Sequence, residues 1–331
     1  MSFEAWLEDT KVRFREQPIK RAAFVSAMKL WQGGFRRTLD SYIGTPIWEM
    51  GDWDICLVLD GCRVDLLREI ADEYSWLPSA SKIASVRSIA SCSEDWIPRT
   101  FDPAICPSNV GYISANPFTG HDSPTHDTLP LDESEFSLLD EVWREEWKLS
   151  DEYGIKTTDP KVLTDHSIAA WRQRQELDID KLIVHYMQPH EPFRTRPEWC
   201  ADVATFADLV TDSNKKAVSQ WRELEKGNRD FEEVWTAYRD NLRWVLDDIS
   251  RLLSNTDSNV LITADHGNAT GEWYTFGHPP ATLCPTARRV PMITVSAIDK
   301  QTEDVDVEFV TKRSPADENL QDQLSALGYS D

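Results

Sequence analysis

Three short apolar runs, at residues 55–59, 182–184 and 260–262, each stop at acidic or imidazole side chains. Runs that are this short and this apolar are typical of parallel strands whose two faces are both covered. In an open α/β sheet, ligands bind in the crevice outside the carboxyl ends of the strands. The polar residues that follow the three runs are therefore predicted to share one site: Asp60, His185, His190, Asp265, His266 and, further along the chain, His278.

The chemistry of these side chains indicates a metal centre. A carboxylate next to an imidazole suits a divalent ion, because one supplies charge and the other a neutral nitrogen donor. A single Asp-His pair such as Asp265-His266 also occurs in ordinary turns. Three separate strand ends that carry such side chains favour a functional metal site.

Helical patterns alternate with the apolar runs along the chain. They cover residues 64–74, 131–150, 161–177 and 228–254, and a short strand is predicted at 112–114. The last helix has one apolar face, formed by Phe231, Val234, Tyr238, Leu242, Val245 and Ile249. The alternation predicts an α/β fold with a mostly parallel central sheet flanked by helices on both faces. Residues 46–331 are predicted to form one catalytic domain, because no internal repeat or linker interrupts them.

Residues 1–45 are predicted to form a separate, basic helical arm. Between residues 11 and 37, eight basic residues accompany one acid, Glu16. Apolar residues are interleaved at roughly helical spacing: Phe14, Ile19, Phe24, Val25, Met28, Leu30 and Trp31. Two interpretations stay open. The arm is a basic amphipathic helix that lies on an anionic membrane surface or an acidic partner, or it packs on the acidic body of the protein.

The chain as a whole is strongly acidic, with 57 Asp and Glu against 35 Lys and Arg and a net charge of −22. Such a surface repels phosphate groups and argues against a general nucleic-acid-binding role. It favours an organism with molar internal salt, where the Debye length is about 3 Å and self-repulsion is screened.

The sequence also bears on compartment. It has no apolar run long enough to cross a membrane and no signal-peptide layout, so we expect a cytoplasmic protein, membrane-peripheral if the arm binds lipid. Six cysteines without paired spacing predict free thiols. No feature indicates an oligomeric state.

Five segments occur in an order that is itself specific. They are an Asp-x-x-Arg-x-Asp run at 60–65, a Pro-His-x-Pro-aromatic loop at 189–193, the helix with Tyr238 and Asp247, an Asp-His-Gly…Gly-His…Val-Pro series at 265–291, and Leu-Gly-Tyr at 327–329. Together they resemble the alkaline phosphatase superfamily and, within it, the sulfatase-like branch, as a haloarchaeal-type sulfatase- or phosphatase-like hydrolase. The resemblance implies a metal-dependent hydrolase of phosphoric or sulfuric esters with a metal-bound hydroxyl nucleophile. The alternatives are a phosphotransferase on a glycan or lipid-linked substrate, and a non-catalytic binding protein that keeps the fold.

The resemblance also implies a ligand set and a nucleophile. The ligands of a divalent ion (Zn, Mn, Ca or Mg) would be Asp60, Ser93, Asp265 and His266. Ser93 would be the nucleophile at a helix N-terminus, with Ser91 as second choice; alternatively, Ser93 only caps the helix. Cys92 lacks the Cys-x-Pro-x-Arg context of sulfatases that use formylglycine, which favours phosphate over sulfate esters.

The remaining roles concern the open side of the site. His190 and His278 would bind ester oxygens or protonate the leaving group, and with His185 they would hold a second ion if there is one. Arg63 would bind the substrate anion, unless it pairs with an acid such as Asp65. Asn268 stands where the family often has Glu. Three other histidines carry no motif and are predicted to lie on the surface: His121, His126 and His166.

Overall fold

A seven-stranded sheet forms the centre of the protein. The computed structural model describes residues 3–16, 19–38, 44–119, 131–146, 148–149, 156–199 and 219–309. The strands within these ranges are β1 (Ile55–Leu59), β2 (Ala84–Arg87), β3 (Val110–Ser114), β4 (Leu138–Asp140), β5 (Lys148–Leu149), β6 (Lys156–Thr157), β7 (Lys181–Tyr186), β8 (Ser258–Thr263), β9 (Ala269–Thr270), β10 (Phe276–Gly277) and β11 (Arg289–Ala297).

The central sheet is mostly parallel and has the strand order β2-β11-β8-β1-β7-β3-β4. Strands β8, β1, β7, β3 and β4 are mutually parallel, and β11 runs antiparallel between β8 and β2. Val58 of β1 is level with His185 of β7 and with Thr263 of β8. The carboxyl ends of β1, β7 and β8 therefore lie side by side at one edge of the sheet.

Helices cover both faces of this sheet. The described helices are α1 (Phe3–Glu16), α2 (Ile19–Thr38), α3 (Val64–Ile70), α4 (Ser93–Thr100), α5 (Trp143–Glu146), α6 (Pro160–Arg172), α7 (Gln220–Lys226), α8 (Phe231–Leu253) and α9 (Pro285–Arg288). Ile55, Leu57 and Leu59 share one apolar core with α3, α6 and α8. Cys56 and Val58, which alternate with them along β1, share the opposite core with α4. The predicted α/β fold is confirmed.

Two helix predictions need correction. The predicted acidic helix at 131–150 is wrong, because its described part contains a single 3₁₀ turn, strand β4, the four-residue helix α5 and strand β5. Phe136 and Leu138 are buried in different cores, and the pairing of β4 with β3 satisfies the backbone there. Helix α8 buries the predicted face except at its first residue, since Phe231 is 40% exposed. The other predicted helices and strands are present, with ends shifted by a few residues.

The predicted arm consists of two helices, α1 and α2, which pack against each other. Trp6 Nε1 donates a hydrogen bond to the Ser26 carbonyl at 2.9 Å, and Arg13 Nη1 donates to Ser26 Oγ at 3.2 Å. Among the described residues, no helix is long and apolar enough to span a bilayer. The closing Leu-Gly-Tyr segment at 327–329 lies outside the described residues.

Candidate metal centre

The three adjacent strand ends bring carboxylates and imidazoles together in the interior. Asp60 follows β1, His185 lies in β7, and Asp265 follows β8. All three are buried, and one ligand atom from each lies within 4.8 Å of the others. His266 joins them, with Nε2 at 3.3 Å from Asp265 Oδ2 and 3.6 Å from Asp60 Oδ1. The sheet therefore unites residues that are two hundred positions apart in the chain.

Ser93 places its hydroxyl at the centre of this group. Ser93 Oγ lies 2.6 Å from Asp265 Oδ2 and 3.3 Å from both Asp60 Oδ2 and His266 Nε2. Cys92, not Ser93, is the N-cap residue of α4, with an extended backbone (φ −156°, ψ 155°). Ser93 is thus the first residue of the helix, and its side chain points into the site instead of capping α4.

Ser91, the second nucleophile candidate, points elsewhere. Its Oγ donates a hydrogen bond to the Pro279 carbonyl at 2.9 Å and accepts one from the Thr282 amide at 3.2 Å. Both partners belong to the loop after β10. Of the two serines, only Ser93 has its hydroxyl among the predicted ligands.

Three imidazole rings form a stack at this centre, with His266 and His278 inclined by 28° and His278 and His190 edge to face at 62°. The rings of His266 and His278 lie 4.3 Å apart between centroids, and those of His278 and His190 lie 5.0 Å apart. In each ring Nδ1 faces a fixed acceptor: the Gly267 carbonyl for His266 (2.9 Å), the Glu191 carbonyl for His190 (2.7 Å) and Asn268 Oδ1 for His278 (2.6 Å). Nδ1 therefore carries the proton, and Nε2 presents its lone pair.

Asn268 links the stack to the scaffold. Its Oδ1 accepts from His278, while its Nδ2 donates to the Tyr238 hydroxyl at 3.3 Å and to the Gly61 carbonyl at 3.4 Å. Tyr238 also donates to the Gly61 carbonyl. The Gly61 amide donates to Asp265 Oδ1 at 3.0 Å. Helix α8 thus fixes the orientation of both His278 and Asp265.

The two carboxyls differ in their charge state. Burial, together with the neighbouring charge of Asp265, raises the pKa of Asp60 well above its usual range, although Asn116 donates a hydrogen bond to it. Burial also opposes ionisation of Asp265, but the adjacent His266 and the hydrogen bond from Ser93 hold its pKa below its usual value. Asp265 is consequently the member of the pair whose carboxyl group favours the ionised form.

Two imidazoles at the centre, His266 and His278, have lowered pKa values. Burial lowers the pKa of His266. Burial, His266 and His190 lower the pKa of His278 well below its usual value. The centre therefore offers carboxylate oxygens and unprotonated imidazole nitrogens, and these are the forms that metal ions bind.

Two polar atoms at the centre favour a cation. Among the described residues, Asp60 Oδ1 and His185 Nε2 are buried without a hydrogen-bond partner. His185 Nε2 lies 3.7 Å from Asp265 Oδ2, which exceeds hydrogen-bond length. A buried polar atom without a partner carries a large desolvation cost. A divalent cation would satisfy both atoms, so the residues fit the implied metal.

Arg63 is held by acids at the side of the centre. Its guanidinium contacts Asp65 through Nη2 (2.6 Å) and Glu272 through Nη1 (2.8 Å), and Nη1 also donates to the Asn268 carbonyl at 2.7 Å. Only 6% of the side chain is exposed. Of the two predicted roles, substrate binding and pairing with Asp65, the geometry shows the pairing.

Two residues at the centre had no firm assignment from the sequence. His185 was considered only for a second ion, yet it lies inside the first cluster, with Nδ1 2.9 Å from the Tyr112 hydroxyl. Asn116 Nδ2 donates to Asp60 Oδ2 at 2.8 Å. Asn116 follows β3 at the same edge of the sheet, so a strand-end search extended to amides would have found it. His166 is half-buried and paired with Asp140 at 2.7 Å, and His121 and His126 lie outside the described residues.

Comparison with known proteins gives only distant structural likeness. No family model matches the chain, and no curated protein matches it. Similar solved structures include the integral membrane lipooligosaccharide phosphoethanolamine transferase A from Neisseria meningitidis, at 15% identity and a TM-score of 0.39, over 89% of this chain and 59% of that one. The soluble domain of that transferase gives 15% identity and 0.40, over 78% of this chain and 81% of that one.

A third similar structure is the C-terminal periplasmic domain of a phosphoethanolamine transferase from Campylobacter jejuni, at 12% identity and a TM-score of 0.39. The likeness covers 73% of this chain and 78% of that one. This chain spans about 59% of the length of the full Neisseria meningitidis protein. Similarity at this level does not assign a family or an activity, and the fold assignment rests on the sheet described above.

Proposed function

We propose that this protein is a metal-dependent hydrolase of phosphoric or sulfuric esters, with Ser93 as the nucleophile. The observation that carries the proposal is the position of Ser93 Oγ, within 3.3 Å of two carboxylates and an imidazole nitrogen at a helix N-terminus. Hydroxyls are poor nucleophiles unless they are activated. Here the activating groups converge on one oxygen.

The charge of the site supports a role for a cation. Asp60 and Asp265 are both buried, and so are Glu94 and Asp95, which follow Ser93 in the first turn of α4. An anionic ester would be repelled by these acids in the absence of a cation. The residues that would hold the ion are Asp60, Ser93, Asp265 and His266, with His185 added by its position. Such an ion would lower the pKa of a coordinated hydroxyl and neutralise charge on the ester oxygens.

The first step follows from the contacts of Ser93. Its hydroxyl proton lies on the hydrogen bond to Asp265 Oδ2, which orients an oxygen lone pair away from that carboxylate. As Ser93 Oγ bonds to the phosphorus or sulfur, its proton passes to Asp265 Oδ2. The leaving oxygen departs in line with the bonding electron pair and takes up a proton from solvent, and Asp265 returns its proton to solvent. The mixed nitrogen and oxygen donor set of the centre supports zinc or manganese over calcium or magnesium.

The second step assigns a task to His278. Its Nδ1 proton is held by Asn268, and its lowered pKa leaves Nε2 unprotonated. Nε2 is therefore suited to accept a proton from the water that attacks the Ser93 ester, which releases the acid and restores the hydroxyl. His190, the outermost ring of the stack, is placed to contact the ester oxygens. If an alcohol takes the place of water, the same residues perform group transfer.

An activity panel with metal analysis tests the proposal. The purified full chain would be supplied with Zn, Mn, Ca or Mg and assayed on an aryl phosphate, a bis-aryl phosphodiester and an aryl sulfate, with and without molar salt. We expect a stoichiometric divalent ion and turnover of at least one ester. Asp265→Ala should lose both, whereas Asp304→Ala, at an exposed position, should lose neither.

The outcomes separate the alternatives. Turnover that rises when a glycan or glycerol-type alcohol is added, with formation of the alcohol's ester, would replace the hydrolase with a transferase. Wild-type protein that binds no metal and turns over no ester would overturn the enzyme proposal and leave a binding protein with this fold.

A further inference from the structure

The second helix of the arm turns its apolar face to the solvent. At about 100° per residue, the exposed side chains of α2 fall within an arc of about 140°. They are Ile19, Lys20, Ala23, Phe24, Ala27, Leu30 and Trp31. Ile19 is 73% exposed and Trp31 is 58% exposed. A surface helix of a soluble domain ordinarily directs such a face to the core.

The opposite face of α2 is occupied by α1, which fixes the orientation of the arm. Ala22 and Ser26 are buried, and Ser26 receives the hydrogen bonds from Trp6 and Arg13. The apolar arc therefore cannot turn inward without loss of these contacts. Helix α1 adds exposed apolar and basic side chains of its own: Leu7, Lys11, Val12, Phe14 and Arg15.

The arm contacts the hairpin that carries one end of the metal centre. The ring of Phe24 lies 5.1 Å from that of Tyr274 between centroids. Tyr274 is at the tip of the hairpin formed by β9 and β10. This hairpin begins just after Asp265 and His266 and ends just before His278. The arm and the metal centre are thus joined through one short loop.

The tip of this hairpin presents two aromatic side chains to the solvent. Trp273 and Tyr274 are 53% and 54% exposed, and both have left-handed backbone conformations (φ 53° and 54°). Such conformations are unfavourable for bulky residues and persist where the surroundings or function require them. Here they place the phenol of Tyr274 against Phe24 of α2, and the exposed indole of Trp273 precedes it in the chain.

We propose that this docking surface, formed by the exposed residues of α1 and α2 together with Trp273 and Tyr274, binds an anionic lipid bilayer. Charge complementarity selects this occupant, because Arg15 and Lys20 are exposed here, together with Lys11, which pairs with Glu8 at 2.5 Å, in a protein of net charge −22. Basic and aromatic side chains around an apolar face are the composition of helices that lie in a bilayer interface. A second copy of the chain that docked through the same surface would bring these basic residues against each other.

Vesicle sedimentation tests the docking surface with the full chain. Vesicles of phosphatidylcholine alone and with phosphatidylglycerol would be compared at low and molar salt. We expect binding to the phosphatidylglycerol vesicles that weakens with salt. Ile19→Ser should reduce the partition coefficient by about tenfold. The matched control is Ile298→Ser, because Ile298 is 61% exposed outside this surface and should leave binding unchanged.

A charge-reversal pair tests the electrostatic part. Lys20→Glu should weaken binding to phosphatidylglycerol vesicles, and Lys300→Glu, at an exposed position outside the docking surface, should weaken it much less. Wild-type protein that fails to sediment with anionic vesicles would overturn the proposal. So would equal losses for Ile19→Ser and Ile298→Ser, or conversion of a dimer to a monomer by Ile19→Ser in size-exclusion chromatography. None of these readouts depends on turnover, so they are independent of the proposed enzyme activity.

Discussion

The metal centre and the docking surface depart from ordinary protein architecture in opposite directions. At the metal centre, Asp60, His185, Asp265 and His266 are at most 2% exposed, although charged groups ordinarily lie in water. On the docking surface, large apolar side chains are 37–73% exposed, although such residues ordinarily form the core. We propose that each region is completed by a different kind of ligand, a cation at the first and a lipid surface at the second.

The difference lies in how the two regions are built. The metal centre rests on parallel strands and on hydrogen bonds that hold Nδ1 of His266 and His278 and Oδ1 of Asp265. The burial of its charged and polar groups is electrostatically unfavourable, and a bound cation would offset this free energy. The docking surface rests on two helices and one aromatic contact to the body of the protein, and a lipid surface would cover it. Substitutions at the metal centre should therefore change turnover, and substitutions on the docking surface should change membrane binding.

The largest effect is expected at Ser93. Ser93→Ala should lower turnover by about a thousandfold or more, because the attacking oxygen is lost. Bound metal, measured by elemental analysis, should largely remain, since the carboxylates and imidazoles are unchanged. Ser91→Ala is the matched control and should retain most activity, because its hydroxyl bonds to the Pro279 carbonyl. Equal losses for the two variants would remove the nucleophile assignment.

A smaller effect on turnover is expected at Asn268. Asn268→Ala should reduce kcat by about 10- to 100-fold, because His278 loses the acceptor that holds its Nδ1 proton. Asn268→Asp keeps an acceptor oxygen and should recover part of this loss. Asn255→Ala is the control for the removal of a buried amide, because Asn255 contacts Arg172 and Thr302 outside the centre. If Asn255→Ala lowers kcat as much, the effect is one of stability alone.

Asp60 provides a test on stability. The raised pKa of Asp60 means that the folded state binds this proton more tightly than the unfolded state does. The resulting contribution to folding stability is complete at a pH below the usual Asp pKa, and it is lost as the pH rises through the raised pKa of the folded protein. In the metal-free protein, Asp60→Asn should therefore raise the free energy of unfolding by about 1–2 kcal/mol at pH 8, and by nearly nothing below about pH 4. Urea denaturation with a chelator present measures both.

The same substitution should remove the stabilisation by added metal, because a ligand is lost. Asp304→Asn, at an exposed position, should change neither quantity. A metal-free Asp60→Asn protein that is less stable than wild type at pH 8 would contradict the inference that the buried, ionised Asp60 carboxylate destabilises the fold.

The sequence predicts some strands and residues of the metal centre and misses others. Strands β1, β7 and β8 are predictable because both of their faces are buried, which produces uninterrupted apolar runs. Strand β4 is not evident among the acids around it, because this edge strand has three residues and only Leu138 of them is buried. Asp60, Asp265 and His266 follow directly from strand ends. The place of His185 among the ligands of the first ion does not, because it depends on β7 lying beside β1, and local pattern does not encode strand order.

The docking surface shows the same limit. Its basic and apolar composition is evident from residues 11–37, and both interpretations of the arm are compatible with that pattern. The choice depends on which face of α2 is covered, and this is determined by the contacts of Ser26 with α1. The left-handed backbone of Trp273 and Tyr274 has no signal in local composition, because neither is a residue type that favours it.

The smallest effect is expected at Trp31, and it is the sharpest test of the contrast. Trp31→Ser should change the free energy of unfolding by no more than about 0.5 kcal/mol and leave turnover of a soluble aryl ester unchanged, because the side chain is 58% exposed. The comparison variant is Trp96→Ser, which removes a buried Trp. Trp96 packs against His185, with ring centroids 5.4 Å apart, and its removal should destabilise the fold strongly. Thermal unfolding and soluble-substrate assays measure both variants. A loss of turnover in Trp31→Ser would mean that the arm acts on the chemistry of the metal centre, and the separation of the two regions would then be wrong.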